Sequence, residues 1–411
     1  MDRRYFVKGC GAAAGLGMMQ LTGCTKQQAK APMAAAATAP AAFPFYDAMG
    51  PLVPIRADAD RIFRITVCTR PFRAAGPRYD VVKVGDKTVF CNYGHGGSGW
   101  SLSWGSADYV VKKVLADGSK QREIAVIGAG ALGLTAGLTA QRAGFKVTIY
   151  AKERAPYVRS VRATGSWTPD SRIALNGVPP PEFAAQWEQM ARTSFAMYMT
   201  YIASPGNPID WVDHYQLSDL APGAPTPPRP PAVHDFARYS ASITDLTPRP
   251  HEIPAGMHPF PVSRVMRSTS LSFNVADYAR QLMADFLLAG GTIETQEFHS
   301  PNDFAAVPQR DIISCTGYGS RALWSDESVV PVRGQIQWLI PQEGAVYGLG
   351  YHGLNLLARR DGIVMMVNPL GDDTGWNDDT EVPDKGMAAS AIAILQDLYA
   401  RMEKSKMSRA S

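Results

Sequence analysis

The sequence predicts an α/β fold built around a Rossmann-like, dinucleotide-binding unit. The segment EIAVIG, which begins at Glu123, is a short β-branched run that indicates a buried strand. A glycine turn and a stretch with helical spacing follow it, and the next apolar run, KVTIY, indicates a second strand. A strand, a glycine turn, a helix and a second strand, in this order, form the unit that holds a dinucleotide pyrophosphate.

Three glycines with the spacing G-x-G-x-x-G shape the turn of this unit. Gly128 makes the tight turn, and Gly130 lets backbone N–H groups approach a phosphate at the positive end of the helix. Gly133 allows the helix to pack closely on the strand. An acidic residue near the end of the second strand normally binds the adenosine ribose. Glu153 is the candidate here, and a solvated loop charge is the alternative.

A second glycine-rich segment, NYGHGGSG, covers residues 92–99 and precedes the first by about thirty residues. Glycine removes the Cβ atom, so this run predicts a loop shaped around a ligand. Apolar residues at helical intervals follow in WGSADYVVKKVL, from Trp104 to Leu115. The loop is therefore expected to lead into a helix whose positive end faces the cofactor.

Composition and charge restrict the class of protein. The chain has 411 residues, of which 45% are apolar and 19% charged, so it can bury a full core. Its formal net charge of +4 is small, and no run of Lys and Arg of the kind that lines a nucleic-acid groove occurs. No Cys and His spacing indicates a metal. We expect a globular protein with a small-molecule substrate and no nucleic-acid partner.

The N-terminus resembles an export signal. Arg3 and Arg4 precede a mildly apolar stretch over residues 9–21, which is too short to span a bilayer as a helix. The following Leu-Thr-Gly-Cys resembles a bacterial lipobox with Cys24 as the acylated residue. We expect twin-arginine export, a periplasmic location and a lipid anchor at Cys24, joined to the folded body by an Ala/Pro-rich tether over residues 25–55.

An oxidising compartment would permit disulfides between the remaining cysteines. Cys68 and Cys91 each follow a strand-like run, and Cys315 lies further along the chain. A pair between Cys68 and Cys91 is one possibility. Buried free cysteines are the more common state and the alternative.

Several longer motifs carry a family resemblance. The segments are RPFR (70–73), NYGHGGSGWSLSWG (92–105), ATGSWTP (163–169), SCTG (314–317) and RGQ (333–335). Together they resemble the D-amino-acid oxidase family of FAD-dependent oxidoreductases. In that family the dinucleotide loop opens the chain, and the RPxR and NYGHGG segments close it. Here the closing segments come first, so the resemblance implies a circular permutation.

The resemblance implies an FAD-binding domain interleaved with a mostly β substrate domain. The predicted segments are a signal over 1–24, a tether over 25–55, a FAD-binding domain over 56–176 and 263–330, a substrate domain over 177–262 and 331–376, and a C-terminal helix and tail over 377–411. The residues expected to bind the cofactor are Gly96, Ser98, Gly99, Trp100, Ser101, Gly128, Gly130, Ala131, Leu132, Gly133, Glu153, Gly165, Trp167, Thr316 and Gly317.

The resemblance also implies the reaction: hydride transfer from the substrate α-carbon to the flavin, giving an imino acid that hydrolyses. Arg359, in LLARRDG, matches the position of the arginine that binds the substrate carboxylate, and an exposed hairpin arginine is the alternative. The backbone around Gly97 would line the flavin and the substrate amine. His95 is expected to hold the glycine loop, with a catalytic base as the alternative.

Two features leave the substrate and the electron acceptor open. The family presents tyrosines to the substrate after an LTPR segment, but the sequence after Leu246–Arg249 offers Arg264 and Arg267 and no tyrosine. The alternative functions are a flavin dehydrogenase of another amine or imino acid that passes electrons to a membrane carrier, and a lipoprotein that keeps the FAD fold for binding without turnover.

Overall fold

The two glycine segments and their flanking strands become part of two β-sheets. The computed structural model describes Met49 and residues 52–118, 121–221, 223–224 and 232–410. The predicted export signal, Cys24 and most of the predicted tether lie outside the described residues. Within the described part of the chain, every helix is too short or too polar to cross a membrane.

The first sheet has six strands, and five of them run parallel. In the order in which they lie across the sheet they are Val81–Val84 (β2), Lys87–Cys91 (β3), Asp311–Ser314 (β10), Glu123–Ile127 (β4), Lys146–Ala151 (β5) and Thr292–Thr295 (β9). Only β2 is antiparallel to its neighbour. β3, β10 and β4 are buried almost throughout, as expected for central strands covered on both faces.

The second sheet has eight strands and is antiparallel except where β12 meets β6. Across the sheet the strands are Ile62–Phe72 (β1), Val330–Leu339 (β11), Gly362–Val367 (β14), Leu354–Arg359 (β13), Tyr347–Tyr351 (β12), Ile209–Ser218 (β6), Arg264–Phe273 (β8) and His251–Ile253 (β7). One face of this sheet is covered by the C-terminal helix.

Six α-helices accompany the sheets in the part of the chain that the structure describes. They are Gly99–Ala116 (α1), Ala131–Arg142 (α2), Phe183–Met199 (α3), Val275–Leu288 (α4), Ser320–Leu323 (α5) and Lys385–Ala410 (α6). α1 begins at the last residue of the segment 92–99, and α2 begins within the glycine turn at Ala131. The two helices pack against each other, because both carry small or apolar buried residues along one side. Their first turns therefore lie close together.

Two large hydrophobic cores lie between the helices and the sheets. In the first, apolar residues of β4 and β5 such as Val126 and Ile149 pack against Leu134 of α2 and Phe286 of α4. In the second, α6 lies on the eight-stranded sheet, with residues such as Leu395 buried against it. The start of the described chain joins this second core, and Gln396 Nε2 donates a hydrogen bond to the carbonyl of Ala57 at 2.8 Å.

The predicted domain boundaries differ from the observed ones at two strands. β1 and β8 fall within segments predicted to belong to the FAD-binding domain, but both belong to the eight-stranded sheet. Burial varies along both strands. The pattern of apolar and polar residues in a strand predicts which side chains are buried, but it does not predict which sheet the strand joins. The two domains are thus interleaved more finely than the sequence indicates.

The cysteines of the described chain are free thiols. Cys68 lies on β1 in the eight-stranded sheet, whereas Cys91 ends β3 in the six-stranded sheet. The possible pair between them does not form, and the alternative of free cysteines is the observed state. Burial raises the pKa of Cys91 to about 11 and also raises that of Cys315, so both thiols are poor nucleophiles.

Candidate functional site

A cavity of about 320 Å³ lies at the carboxyl ends of β4, β5 and β10. Five of the residues predicted to bind the cofactor line it: Gly128, Gly130, Glu153, Thr316 and Gly317. The carboxyl edge of a parallel sheet is where α/β proteins bind nucleotides, because the connecting loops diverge there. The predicted dinucleotide turn therefore borders a real cavity of the expected kind.

The glycines of this turn are required by close contacts. Gly128 has φ +108°, and a Cβ there would meet the carbonyl oxygen of Cys315. A Cβ at Gly133 would overlap the carbonyl oxygen of Gly128, which matches its expected role of bringing the helix onto the strand. Gly130 is less restricted, since its nearest neighbour would be the Ser160 hydroxyl at 2.8 Å.

The first turns of α1 and α2 meet at Ser160, a residue that no sequence motif singled out. The Ser160 hydroxyl accepts a hydrogen bond from the N–H of Ala131 at 3.0 Å. Its carbonyl accepts one from the Trp100 indole at 2.7 Å. The helix that follows each glycine segment is thus bound to one and the same residue. No sequence motif marks Ser160, because it lies in a short 3-10 helix, Arg159–Arg162, outside both glycine segments.

The segment over residues 92–99 supports the cavity but does not line it. The N–H of Gly96 donates to the carbonyl of Pro71, and the N–H of Gly97 donates to the carbonyl of Ser171. The Ser98 hydroxyl also donates to Ser171. Because its N–H is already bonded, Gly97 could contact a flavin or a substrate amine only through its carbonyl, and its expected role stays a prediction.

The free donors of this region belong to the first turn of α1. Gly99, Trp100 and Ser101 occupy this turn, where backbone N–H groups have no partner inside the helix. The Ser101 side chain accepts a hydrogen bond from the N–H of Thr168 at 2.8 Å and fixes the neighbouring loop. Among the residues predicted in this segment, Gly99, Trp100 and Ser101 have backbone N–H groups without a partner inside the helix, so these groups could donate to a cofactor.

The cavity residues fit a dinucleotide. Thr316 carries a buried hydroxyl with no partner among the described residues, and it lines the cavity beside the glycine turn. A buried, unpaired hydroxyl is costly unless a ligand supplies its hydrogen bond. Leu132 and Gly133 lie in the first turn of α2, whose N–H groups are available to a phosphate. Glu153 is exposed at the cavity rim, where a ribose hydroxyl would reach it.

His95 is buried behind the glycine loop and acts as a structural residue. Its Nε2 atom lies 2.8 Å from the Ser106 hydroxyl and 3.1 Å from the Tyr79 hydroxyl. Burial lowers the pKa of His95 from 6.5 to about 3, so the imidazole is neutral. Ser106 in turn donates to the Asn92 side chain at 2.6 Å. Through Ser106, this network bonds Asn92 and His95 of the glycine segment to α1.

We expect His95 to make the protein sensitive to acid. Its folded pKa lies below its unfolded pKa, so below about pH 6.5 the unfolded chain binds a proton that the folded chain does not. Stability should therefore fall by about 1.4 kcal/mol per pH unit from this group as the pH drops. Urea unfolding of the wild type and of His95→Asn at about pH 7.5 and about pH 5 measures the difference. Equal losses in both proteins would contradict this assignment, and His352→Asn, an exposed histidine, is the control.

Arg359 is not free to bind a substrate carboxylate. Its Nε and Nη2 atoms donate to the two oxygens of Asp361 at 2.8 and 2.7 Å. Its Nη1 atom donates to the carbonyls of Ala163 and Thr164. The guanidinium is fully buried, and burial lowers its pKa while Asp361 opposes that effect. The two-pronged pair predicted for a substrate is formed with Asp361 inside the hairpin.

Removing the Asp361 charge should destabilise the fold. Asp361→Asn leaves the buried Arg359 cation without its counter-ion, and breaking a buried pair in this way costs about 3–5 kcal/mol of unfolding free energy. Urea-induced unfolding checks this. Asp80→Asn is a matched control, because Asp80 also pairs with an arginine two residues away but is 65% exposed, so its loss should cost about 1 kcal/mol or less. Similar losses for both variants would refute the buried pair's importance.

Two further predicted cofactor residues lie away from the first cavity. Gly165 has φ +86° and approaches the Phe273 carbonyl and the Arg359 guanidinium closely, so it packs the loop against the second sheet. Trp167 is buried and lines a second, larger cavity under the eight-stranded sheet. Its indole nitrogen has no hydrogen-bond partner within the described ranges.

Arg70 is a site residue to which the sequence reasoning gave no role. Its guanidinium lies directly over Gly334, where a Cβ would collide with it. Its hydrogen-bond acceptors are the carbonyl of Arg333 at 3.2 Å and the thioether of Met366 at 3.2 Å, and neither is charged. The next residue, Pro71, binds the glycine loop. The motif RPFR was the available signal, but spacing alone does not show that Arg73 forms a salt bridge with Asp326 whereas Arg70 forms none within the described residues.

A parallel sheet with a glycine-lined cavity at its carboxyl edge is the arrangement typical of dinucleotide-binding proteins. The family model described as FAD dependent oxidoreductase, DAO, matches residues 123–409. The chain therefore belongs to the DAO family of FAD-dependent oxidoreductases, and the cofactor of that family is FAD.

Three curated relatives are D-amino-acid oxidases. The one from Streptomyces coelicolor is 27% identical over 233 residues, covering 54% of this chain and 60% of the relative. Those from Dictyostelium discoideum and Rubrobacter xylanophilus are 26% and 28% identical and cover 51% of this chain, with 55% and 57% of the relatives covered. The chain thus matches little more than half the length of each.

Among solved structures, L-amino acid deaminase from Proteus vulgaris matches with a TM-score of 0.43 and 13% identity. The match covers 61% of this chain and 61% of that chain. A likeness this distant carries no argument about the present chain.

Proposed function

We propose that the protein oxidises a D-amino acid by transfer of the α-carbon hydride to bound FAD, while the amino group loses a proton to solvent. The product is an imino acid, which water hydrolyses to a keto acid and ammonia. Family membership and the D-amino-acid oxidase activity named for the three relatives support this proposal. The observation that carries it is the Arg70 guanidinium, which is half-buried, is hydrogen-bonded to two neutral groups and forms no salt bridge within the described residues. Its charge attracts the Asp372 carboxylate from a greater distance, and the next residue, Pro71, is hydrogen-bonded to the glycine loop.

In this proposal Arg70 binds the substrate carboxylate in place of Arg359. A guanidinium presents parallel N–H donors that match the two oxygens of a carboxylate. The guanidinium now donates to a neutral carbonyl and a thioether, which are weak acceptors. Replacing them with a charged carboxylate gives stronger hydrogen bonds and lowers the free energy. Gly334 contributes by leaving the space that the guanidinium occupies. Arg359 instead holds the loop over residues 163–165 against the sheet.

FAD, when bound, supplies the two-electron acceptor for this oxidation. The protein contributes binding, orientation and electrostatics. The glycine turn, Thr316 and the first turn of α2 would hold the dinucleotide, and the first turn of α1 would place its positive end toward the ring system. His95 is neutral and enclosed, so it has no part in moving a substrate proton. Arg70 fixes the substrate, and a fixed geometry supplies a large share of the rate.

The test is optical and uses the full-length protein. The purified protein should be yellow, and anaerobic addition of D-amino acids should bleach the visible flavin band, whereas L-amino acids should not. A colourless protein, or a flavin that no amino acid bleaches, would overturn the proposal. Reoxidation of the bleached protein by air or by a quinone then separates an oxidase from a dehydrogenase that feeds a membrane carrier.

We also propose that the chain order is a circular permutation of the family order. The family match begins at Glu123, yet β3 and α1 before it supply a central strand and a packed helix of the nucleotide-binding layer. The two ends of the described chain lie close together, since residues 52–57 pack on α6. A chain recut to begin at residue 121, with residue 402 joined to residue 52 by a short linker, should fold and bind FAD.

We propose, from the sequence alone, that the protein is exported through a twin-arginine signal and anchored by a lipid on Cys24. The spacing between the arginine pair and the lipobox supports this. Mass spectrometry of the mature protein should find a diacylated N-terminal cysteine, and the Cys24→Ala variant should leave the membrane fraction. An unprocessed or unacylated N-terminus would contradict the proposal.

A further inference from the structure

Arg159 lines the dinucleotide cavity, and the reaction proposed above gives it no role. It lies next to Ser160, whose hydroxyl accepts a hydrogen bond from the N–H of Ala131 in the first turn of α2. Its guanidinium lies 5.9 Å from the centre of the Tyr318 ring, and Tyr318 lines the same cavity. Arg159 therefore lies beside the glycine turn, where a dinucleotide fold binds the pyrophosphate.

The lining side chains of Lys, Arg, Asp and Glu type are two cations and two carboxylates: Lys152, Glu153, Arg159 and Glu297. Lys152 and Glu297 follow the neighbouring strands β5 and β9 and form a salt bridge at 3.1 Å. Of the two cations, Arg159 is thus the one on the side of the glycine turn. The planar fork of a guanidinium matches the oxygens of a phosphate.

The Arg159 guanidinium is held by one of its three nitrogens. Its Nε atom donates to one oxygen of Glu381 at 2.7 Å, and Arg162 donates to the other oxygen at 3.1 Å. Within the described residues, the Nη1 and Nη2 atoms of Arg159 make no hydrogen bond. Partial burial raises the pKa of Glu381, but the bonds from both arginines outweigh this effect and lower it. The carboxylate is therefore ionised at neutral pH.

Glu381 is itself fixed from two sides. It lies in an acidic segment, residues 378–384, which contains four carboxylates and no basic residue. Arg333 of the RGQ motif donates to two carbonyls of this segment, at 3.0 and 2.6 Å. On the other side, Arg162 also donates to the carbonyl of Val67 on β1. The RGQ motif thus holds the segment that orients Arg159, a role that its sequence does not indicate.

We propose that the Nη1 and Nη2 atoms of Arg159 bind a phosphate of FAD and that Glu381 holds the guanidinium in place for this contact. A guanidinium that is already fixed at Nε loses less rotational freedom on binding, so the contact is stronger. Arg159 is then a cofactor-binding residue and Glu381 a positioning residue. The inference depends on the cofactor and not on the substrate, so it can fail independently of the proposed function.

The first test measures binding of ADP and of adenosine to the full-length apoprotein by calorimetry. The two ligands share the base and the ribose and differ in the phosphates. Arg159→Gln should weaken ADP binding by about tenfold and change adenosine binding by about twofold or less. Lys152→Gln is the matched control, because Lys152 also lines the cavity and pairs with a carboxylate. It should leave the ratio of the two affinities unchanged.

The second test separates the orienting effect of Glu381 from its charge. Glu381→Gln and Glu381→Ala both remove the charge, but only the amide keeps an acceptor for the Arg159 Nε atom. Glu381→Ala should therefore bind ADP about threefold or more weakly than Glu381→Gln. The same pair of substitutions at Asp379, which accepts from the Tyr318 hydroxyl in the same acidic segment, should give equal affinities.

Two results would overturn the proposal. The first is equal weakening of ADP and adenosine, or none, in Arg159→Gln. The second is ADP binding in Glu381→Ala that equals or exceeds that in Glu381→Gln, since Glu381 would then compete with the phosphate or have no effect on it. Circular dichroism checks folding, and Arg159→Lys replaces Arg159→Gln if that variant is unfolded. Fluorescence titration with FAD decides between the same outcomes if the fragments bind too weakly to measure.

Discussion

Arg70→Lys should lower kcat/KM for a D-amino acid by about 100- to 1,000-fold, or ~3–4 kcal/mol of transition-state stabilisation. Lysine keeps the positive charge but replaces the planar fork with a single point, so the two-pronged carboxylate pair is lost. Because the positive charge is kept, the electrostatic potential at the site changes little. Steady-state oxidation of one good substrate, with FAD content and urea midpoint measured on the same samples, checks the result.

The FAD content and stability of Arg70→Lys should match those of the wild type. Arg70 makes only one bond to a neutral carbonyl and one to a thioether, so little folding energy depends on it. This separates a substrate-binding residue from a structural one. A variant that loses FAD or unfolds would show that Arg70 holds the sheet rather than the substrate.

Arg64→Lys is the matched control for this experiment. Arg64 lies on the same strand, is exposed, and stacks on the Trp338 ring at 4.0 Å. Like Arg70 it forms no salt bridge within the described chain, but it lies at the far end of β1 from the glycine loop. Its variant should change kcat/KM by about threefold or less. A large effect at Arg64 with a small one at Arg70 would move the carboxylate site to the other end of the strand.

The parts of the fold that follow from local patterns could be predicted from the sequence. The strand at Lys87–Cys91, the dinucleotide turn at Gly128 and the helix after each glycine segment are where the sequence places them. In these segments neighbouring residues set both the secondary structure and the spacing of the ligand contacts. Local sequence patterns are therefore enough to predict these elements.

The parts that depend on partners distant in the sequence could not be predicted. The sequence LLARRDG shows Arg359 near Asp361, but only the hairpin shows that the guanidinium turns back onto this carboxylate and is enclosed. Ser160 joins two helices that are separate in the sequence, and its own neighbourhood carries no motif. The unpaired state of Arg70 is likewise a property of the folded sheet, since an arginine's partners are visible only when all strands are in place.

The second large effect is expected from a substitution in the glycine loop, at Gly96. Gly96→Ala should lower the free energy of unfolding by about 3 kcal/mol or more and abolish FAD binding. Gly96 has φ +54°, a region that L-residues avoid, and a Cβ there would overlap the backbone carbonyl of Arg172. Backbone atoms cannot move aside as a flexible side chain can. The whole loop, with the start of α1, would have to shift away from residues 171–172.

Gly99→Ala is the matched variant, and its two readouts should diverge. Gly99 is helical and a Cβ there would meet nothing within 4 Å, so the apoprotein should be as stable as the wild type. If the cofactor lies against the first turn of α1, however, the added methyl enters its space and FAD affinity should fall by about tenfold or more. Fluorescence titration of the apoprotein with FAD measures this. Unchanged affinity in Gly99→Ala would show that α1 supports the site without touching the cofactor, and the helix would then serve only to hold Ser160 and the loop beside it.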